Sequence, residues 1–147
     1  MALDGDRVFS GSRSGKVVQA DVKTGTTLWA TAVSETEVFS TPAVTQEHVV
    51  AAANDGKVFA VDRASGDIRW SFDTKGAPSS PVVAGNKVIV AADGELYILD
   101  LANGLKLSPV KVSDEITSPA IAGSVVFVGS EDGTVVALGA AKENVVP

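Results

Sequence analysis

The feature that most constrains this chain is a phrase repeated at an almost constant interval. Asp-x-x-x-Gly begins at Asp21, Asp62 and Asp100, closing on Gly25, Gly66 and Gly104. A Ser/Thr-Pro phrase keeps the same beat at Ser40-Thr41-Pro42, Ser79-Ser80-Pro81 and Thr117-Ser118-Pro119. A turn dipeptide recurs at Ser14-Gly15, Asp55-Gly56, Asp93-Gly94 and Asp132-Gly133, its glycines 41, 38 and 39 residues apart. A period near forty is the signature of a repeat array such as a propeller or solenoid.

Within one period the reading is four short strands. In the third, Pro81–Ala84 is an apolar run ended by Gly85-Asn86, and Lys87–Ala92 follows as a second strand. Asp93-Gly94 is a strong hairpin signal. Glu95–Leu99 forms a third strand, Asp100–Gly104 turns it back, and the fourth begins at Leu105. Runs such as Val58–Val61, Val88–Val90 and Val125–Val128 are apolar on both faces, which requires a sheet covered on both sides. Propeller blades stacked around an axis supply that cover. In the fourth strand, Ile68, Trp70 and Phe72 are expected on one face, with Arg69, Ser71 and Asp73 on the other.

The corner phrase has a local explanation. An Asp carboxylate accepts amide hydrogens two or three residues on, a Thr or Ser hydroxyl supports the loop, and Gly takes the positive φ. These residues resemble the PQQ-like (quinoprotein-type) β-propeller repeat and its tryptophan-docking motif, Ala-x-Asp-x-x-Thr-Gly-x-x-x-Trp. Asp21, Thr24, Gly25 and Trp29 match it in the first repeat; Asp62, Ser65, Gly66 and Trp70 match in the second. The third keeps Asp100 and Gly104 but has Ser108 in the Trp place, and the fourth has Gly139 for Asp and Pro147 for Trp. The resemblance implies that each Trp packs between neighbouring blades, making these residues structural. It includes a BamB-like non-enzymatic branch and extracytoplasmic sensor domains. These imply protein binding and a periplasmic or extracellular location.

The expected fold is therefore all-β, a propeller segment of about four four-stranded antiparallel blades in one continuous domain. The blades divide as 1–39, 40–78, 79–115 and 116–147, the last strand incomplete. Such an arc is a partial ring, or half of an eight-bladed ring made by two copies through open blade faces. A shortened piece of a longer parent is the rival expectation. Nothing in the first twenty residues reads as a signal peptide, since Asp, Arg and Lys interrupt them.

Composition narrows the chemistry. The net charge of −6, with no basic patch, argues against nucleic acid and anionic membranes as partners. No run is long enough for a membrane-spanning helix. The chain has no cysteine, so disulfides, thiolate metal sites and a Cys nucleophile are excluded.

A quinone dehydrogenase would need a stacking aromatic, a calcium site and a carboxylate base near the axis. Here both tryptophans sit at docking positions, and the carboxylates mostly fall in turns. Neither Asn54-Asp55-Gly56 nor Glu131-Asp132-Gly133 has the alternating carboxylates of a calcium loop. His48, the single histidine, starts a second strand where Arg7 and Lys87 stand in other repeats, and reads as a solvated residue. The serines before proline have no neighbouring general base and read as strand openers.

No catalytic, cofactor or metal residue is therefore expected. The favoured function is a non-catalytic scaffold or sensor that binds protein; a fragment of a quinoprotein (PQQ-dependent) dehydrogenase is the alternative. In the connectors between blades, Phe39 and Ile116 are apolar residues among polar ones and are the candidate partner anchors.

Overall fold

The computed structural model describes residues 1–139 and is all-β. The first sheet holds β1 (Ala2–Asp4), β2 (Arg7–Gly11), β3 (Lys16–Asp21) and β4 (Thr27–Ala32). The second holds β5 (Ala43–Val44), β6 (His48–Ala52), β7 (Lys57–Asp62) and β8 (Ile68–Asp73). The third holds β9 (Val82–Ala84), β10 (Lys87–Ala92), β11 (Glu95–Asp100) and β12 (Lys106–Lys111). In the fourth, β13 (Ala120–Ala122), β14 (Val125–Gly129) and β15 (Val135–Gly139) are described; the expected fourth strand and its Pro147 lie outside the described residues. Each sheet is an antiparallel meander of consecutive strands, and β1, β5, β9 and β13 adjoin one another along the inner side.

The core consists of three layers between sheets. Phe9 and Val17 of the first sheet meet Val49, Ala51, Phe59 and Val61 of the second. Val50, Val58 and Trp70 of the second meet Val88, Val90, Tyr97 and Leu99 of the third. Ile89, Ala91 and Leu96 of the third meet Val128, with Val126 and Leu138 half-buried beside it. Alternation explains this arrangement: successive residues of β6 face opposite neighbours, so Val49 joins one layer and Val50 the next. The two end faces each expose an apolar side chain. Leu3, paired with Val8, is exposed on the first sheet, and Val135 is exposed on the fourth.

Three sequence expectations change in detail. Ile68 and Trp70 do not share a face, because a bulge pairs Ile68 with Val61 but Trp70 with the adjacent Ala60. Trp70 is consequently 7% exposed and Ile68 48%. The same irregularity lies opposite β4 and β12 and leaves Leu28 and Leu107 on the surface. His48 is half-buried rather than solvated, since it opens β6 opposite Asp62 on β7. The fourth strand of the third sheet begins at Lys106, one residue after Leu105, because the Leu105 carbonyl accepts from Asp100 N–H to close the corner.

Of the Asp-Gly turns, Asp93-Gly94 directly joins paired residues Ala92 and Glu95 as a two-residue hairpin. Both its residues have positive φ, 49° and 72°, as a type I′ turn requires.

Candidate functional site

The corner residues sit between β3 and β4, β7 and β8, and β11 and β12. Asp21 Oδ1 accepts the amides of Lys23 and Thr24, both at 2.9 Å. Asp62 Oδ1 accepts from Ala64 at 2.9 Å and Ser65 at 2.8 Å, and Asp100 Oδ1 from Ala102 at 2.9 Å and Asn103 at 3.2 Å. The glycine N–H in each case donates to the backbone carbonyl of the Asp. The fourth residue has a shared role beyond the one foreseen. Thr24 Oγ1, Ser65 Oγ and Asn103 Oδ1 each accept the amide two residues on. Thr24 also donates to Asp21, whereas the Ser65 hydroxyl turns to Asp67 instead.

Bound in this way, the carboxylates of Asp21 and Asp62 are held in their charged form. The hydrogen bond from Arg69, at 2.5 Å, and those from the turn amides hold the Asp62 carboxyl well below its ordinary 3.8. Asp21 is lowered chiefly by the Thr24 amide, with a further contribution from Arg7. A depressed carboxylate committed to two amides is a weak proton acceptor, which suits a structural corner better than a general base.

The second and third corners each receive the tryptophan of the preceding sheet. Trp29 Nε1 donates to the Arg63 carbonyl at 3.0 Å, and Trp70 Nε1 to the Leu101 carbonyl at 2.8 Å. The indoles lie against Gly66 and Gly104. A Cβ on either glycine would come within 2.7 Å and 2.6 Å of the ring atoms. Thr31 adds a hydrogen bond to the Gly66 carbonyl at 2.6 Å. The corner of the first sheet has no such neighbour: a Cβ on Gly25 would meet nothing within 4 Å.

At the opposite end of the strands lie the connectors and the hairpins. Phe39 is 58% exposed there, with the Arg13 guanidinium 5.6 Å from its ring centre. Ile116 stands differently: it is half-buried, packs in the layer between the third and fourth sheets, and bridges to Ser130. The structure therefore does not bring Phe39 and Ile116 into one patch of equal exposure.

Sequence reasoning missed the role of the Ser/Thr in the proline phrases. Ser40, Ser79 and Thr117 accept the amides of Ala52 (2.8 Å), Ala91 (3.1 Å) and Gly129 (3.0 Å). Each satisfies an N–H near the end of a second strand. Their constant distance from that strand's end was the available signal. Among the described residues no group of three or more His, Asp and Glu is placed to hold a metal ion.

A family model described as "Outer membrane protein assembly factor BamB" matches residues 1–146. Among solved structures, the computationally designed Ika8 protein is 26% identical, with a TM-score of 0.85 over 94% of this chain and 44% of its own. The computationally designed Ika4 protein is 25% identical, with a TM-score of 0.85 over 93% of this chain and 87% of its own. BamB from Moraxella catarrhalis is 21% identical and shares the fold, with a TM-score of 0.81 over 92% of this chain and 43% of its own. The chain thus spans less than half the length of Ika8 and of that BamB. A comparison with curated proteins gave no match. With the repeat, the sheets and the family model in agreement, the chain belongs to the outer membrane protein assembly factor BamB family of PQQ-like β-propeller repeats.

Proposed function

We propose that this chain is a non-catalytic propeller module that binds a protein partner outside the cytoplasm, with blades at 1–39, 40–78, 79–115 and 116–147. The family description, an assembly factor for outer membrane proteins, supports a partner within that machinery. The observation that carries the reading is Phe39, a large aromatic exposed on the connector end beneath the Arg13 guanidinium. Aromatic and arginine side chains are the groups most often found at the centre of protein interfaces. The polar residues an enzyme would need are occupied by the architecture: Asp21, Asp62 and Asp100 close corners, and Ser40 and Ser79 cap strands.

The test is photo-crosslinking from position 39 in an envelope extract, alongside Phe39→Ala. One adduct with an outer membrane assembly component, competed by unlabelled chain, is expected. Phe39→Ala is expected to stay within about 0.5 kcal/mol of the parent in stability, as exposed substitutions do. Ile116→Ala is expected to lose about 1–2 kcal/mol through packing. Unchanged partner capture by Phe39→Ala would remove this anchor. A visible spectral change on adding pyrroloquinoline quinone with calcium would favour a quinoprotein instead.

A further inference from the structure

The strands β4, β8 and β12 each end a sheet and leave one edge without a neighbouring strand. The ladder fixes which backbone groups face that edge. Val33 N–H donates to the Gly15 carbonyl, and Ala32 pairs with Lys16 one step further on. Bonded and non-bonded pairs alternate in an antiparallel ladder, so the N–H and C=O groups of Ala30 and Ala32 turn away from β3. The matching bonds, Thr74 to Gly56 and Val112 to Gly94, give the equivalent positions on the other two strands. They are Ser71 and Asp73 on β8, and Pro109 and Lys111 on β12.

These edges are not protected alike. A free edge invites pairing with another chain, and charge or proline on it discourages that pairing. On β12 both guards are present: proline at 109 has no N–H to offer, and Lys111 is exposed. On β8, Arg69 and Asp73 are both exposed. By contrast β4, which reads Thr-Leu-Trp-Ala-Thr-Ala from Thr27, has neither charge nor proline. Its Ala30 and Ala32 are exposed, while Trp29 and Thr31 turn to the second sheet and bond its corner.

We propose that the outer edge of β4 is a docking site for an extended, uncharged segment of a partner polypeptide, added to the first sheet as a further strand. Ala30 and Ala32 present main-chain donors and acceptors at strand spacing, which another extended main chain meets in register. The occupant follows from the size of the edge. Two outward residues make a contact far smaller than the ~1,000 Å² that a stable interface between folded chains clears, so a second folded copy is poorly held at this edge. An extended segment needs no more than the length of the strand. Alanine side chains leave room for branched ones beside them, and β4 offers a charged residue no counter-charge.

The probe is a blocked peptide of alternating threonine and valine, kept soluble by a lysine at each end. It is titrated into the full chain and followed by amide NMR and hydrogen exchange. Saturable shifts centred on Ala30 and Ala32 are expected, with exchange of both amides slowed at least about tenfold at saturation. The same peptide with every threonine and valine N-methylated is expected to give no saturable shift. Ala30→Pro copies the proline of β12: it removes an outward N–H, leaves the bonds to β3 intact, and should weaken the peptide by about tenfold or more. Ala32→Lys copies Lys111 and should act in the same direction, which keeps the test decisive if the proline variant does not fold. The proposal fails if the wild-type chain shows no saturable shift, or if the N-methylated peptide shifts the same amides. It also fails if Ala32→Lys folds and binds undiminished. Equal shifts at Ser71 or Lys111 would overturn it by showing that the guards decide nothing. Ala30 and Ala32 amides protected without peptide, and more so at higher chain concentration, would assign the edge to a second copy instead. Phe39 lies outside β4, so Phe39→Ala is expected to leave peptide binding unchanged and the two readings fail separately.

Discussion

Replacing Trp70 with alanine tests whether the blades are held by their corners. Trp70 is 7% exposed, packs with Val88 and Leu99 across the layer, and donates to the Leu101 carbonyl at 2.8 Å. Deleting a buried Trp side chain costs about 3–5 kcal/mol in transfer and cavity terms. The whole domain is held by only about 5–15 kcal/mol. At roughly 2–4 °C per kcal/mol for a chain near this size, Tm should fall by about 6–20 °C. Trp29 is half-buried, so Trp29→Ala should cost about half as much. Trp70→Phe keeps most of the apolar contact but strands the Leu101 carbonyl, a loss of about 1 kcal/mol.

The glycine beneath the ring provides an independent check. Gly104→Ala pays for a positive φ of 73° and drives a Cβ to 2.6 Å from the indole, whereas Gly25→Ala has a similar φ of 69° and open space. Gly25→Ala should cost about 1 kcal/mol from backbone strain alone, and Gly104→Ala clearly more. Urea unfolding, followed by circular dichroism and the remaining tryptophan's fluorescence, measures each difference. If Trp70→Ala and Trp29→Ala cost the same, or Gly104→Ala no more than Gly25→Ala, the corner contacts do not hold the layers together.

Acid stability should follow the carboxylates of Asp21 and Asp62. Asp62 is depressed below 3.8 chiefly by Arg69, so its contribution is complete above about pH 4 and is lost as pH falls toward the lowered value. Asp62→Asn keeps the turn's acceptor but not the charge, and should flatten part of the fall in Tm between pH 4 and 2; an unchanged acid limb would refute this. The exposed apolar residues Leu3 and Val135 on the two end faces lead to the expectation of self-association, two copies completing one ring. Light scattering should report twice the chain mass, lowered toward one by Val135→Glu, and a monomer at every concentration would end the idea.

The corners were legible because their hydrogen bonds span only two to four residues, so the Asp21, Asp62 and Asp100 phrases carry their geometry within themselves. Buried runs such as Val58–Val61 likewise announced a sheet covered on both faces. The caps at Ser40 and Ser79 were not legible as caps, because each amide they satisfy lies twelve residues away on another strand.

What the sequence determined by itself was the repeat, the all-β class and the corner chemistry, since these follow from local residue preferences copied every forty residues. Only the tertiary structure decided what each copy faces. One bulge beside Arg69 set Trp70 inward and Ile68 outward, although alternation alone puts them together. Packing separated Phe39 from Ile116, two residues alike in the sequence: Ile116 joins the layer between the third and fourth sheets, whereas Phe39 stays exposed beside Arg13.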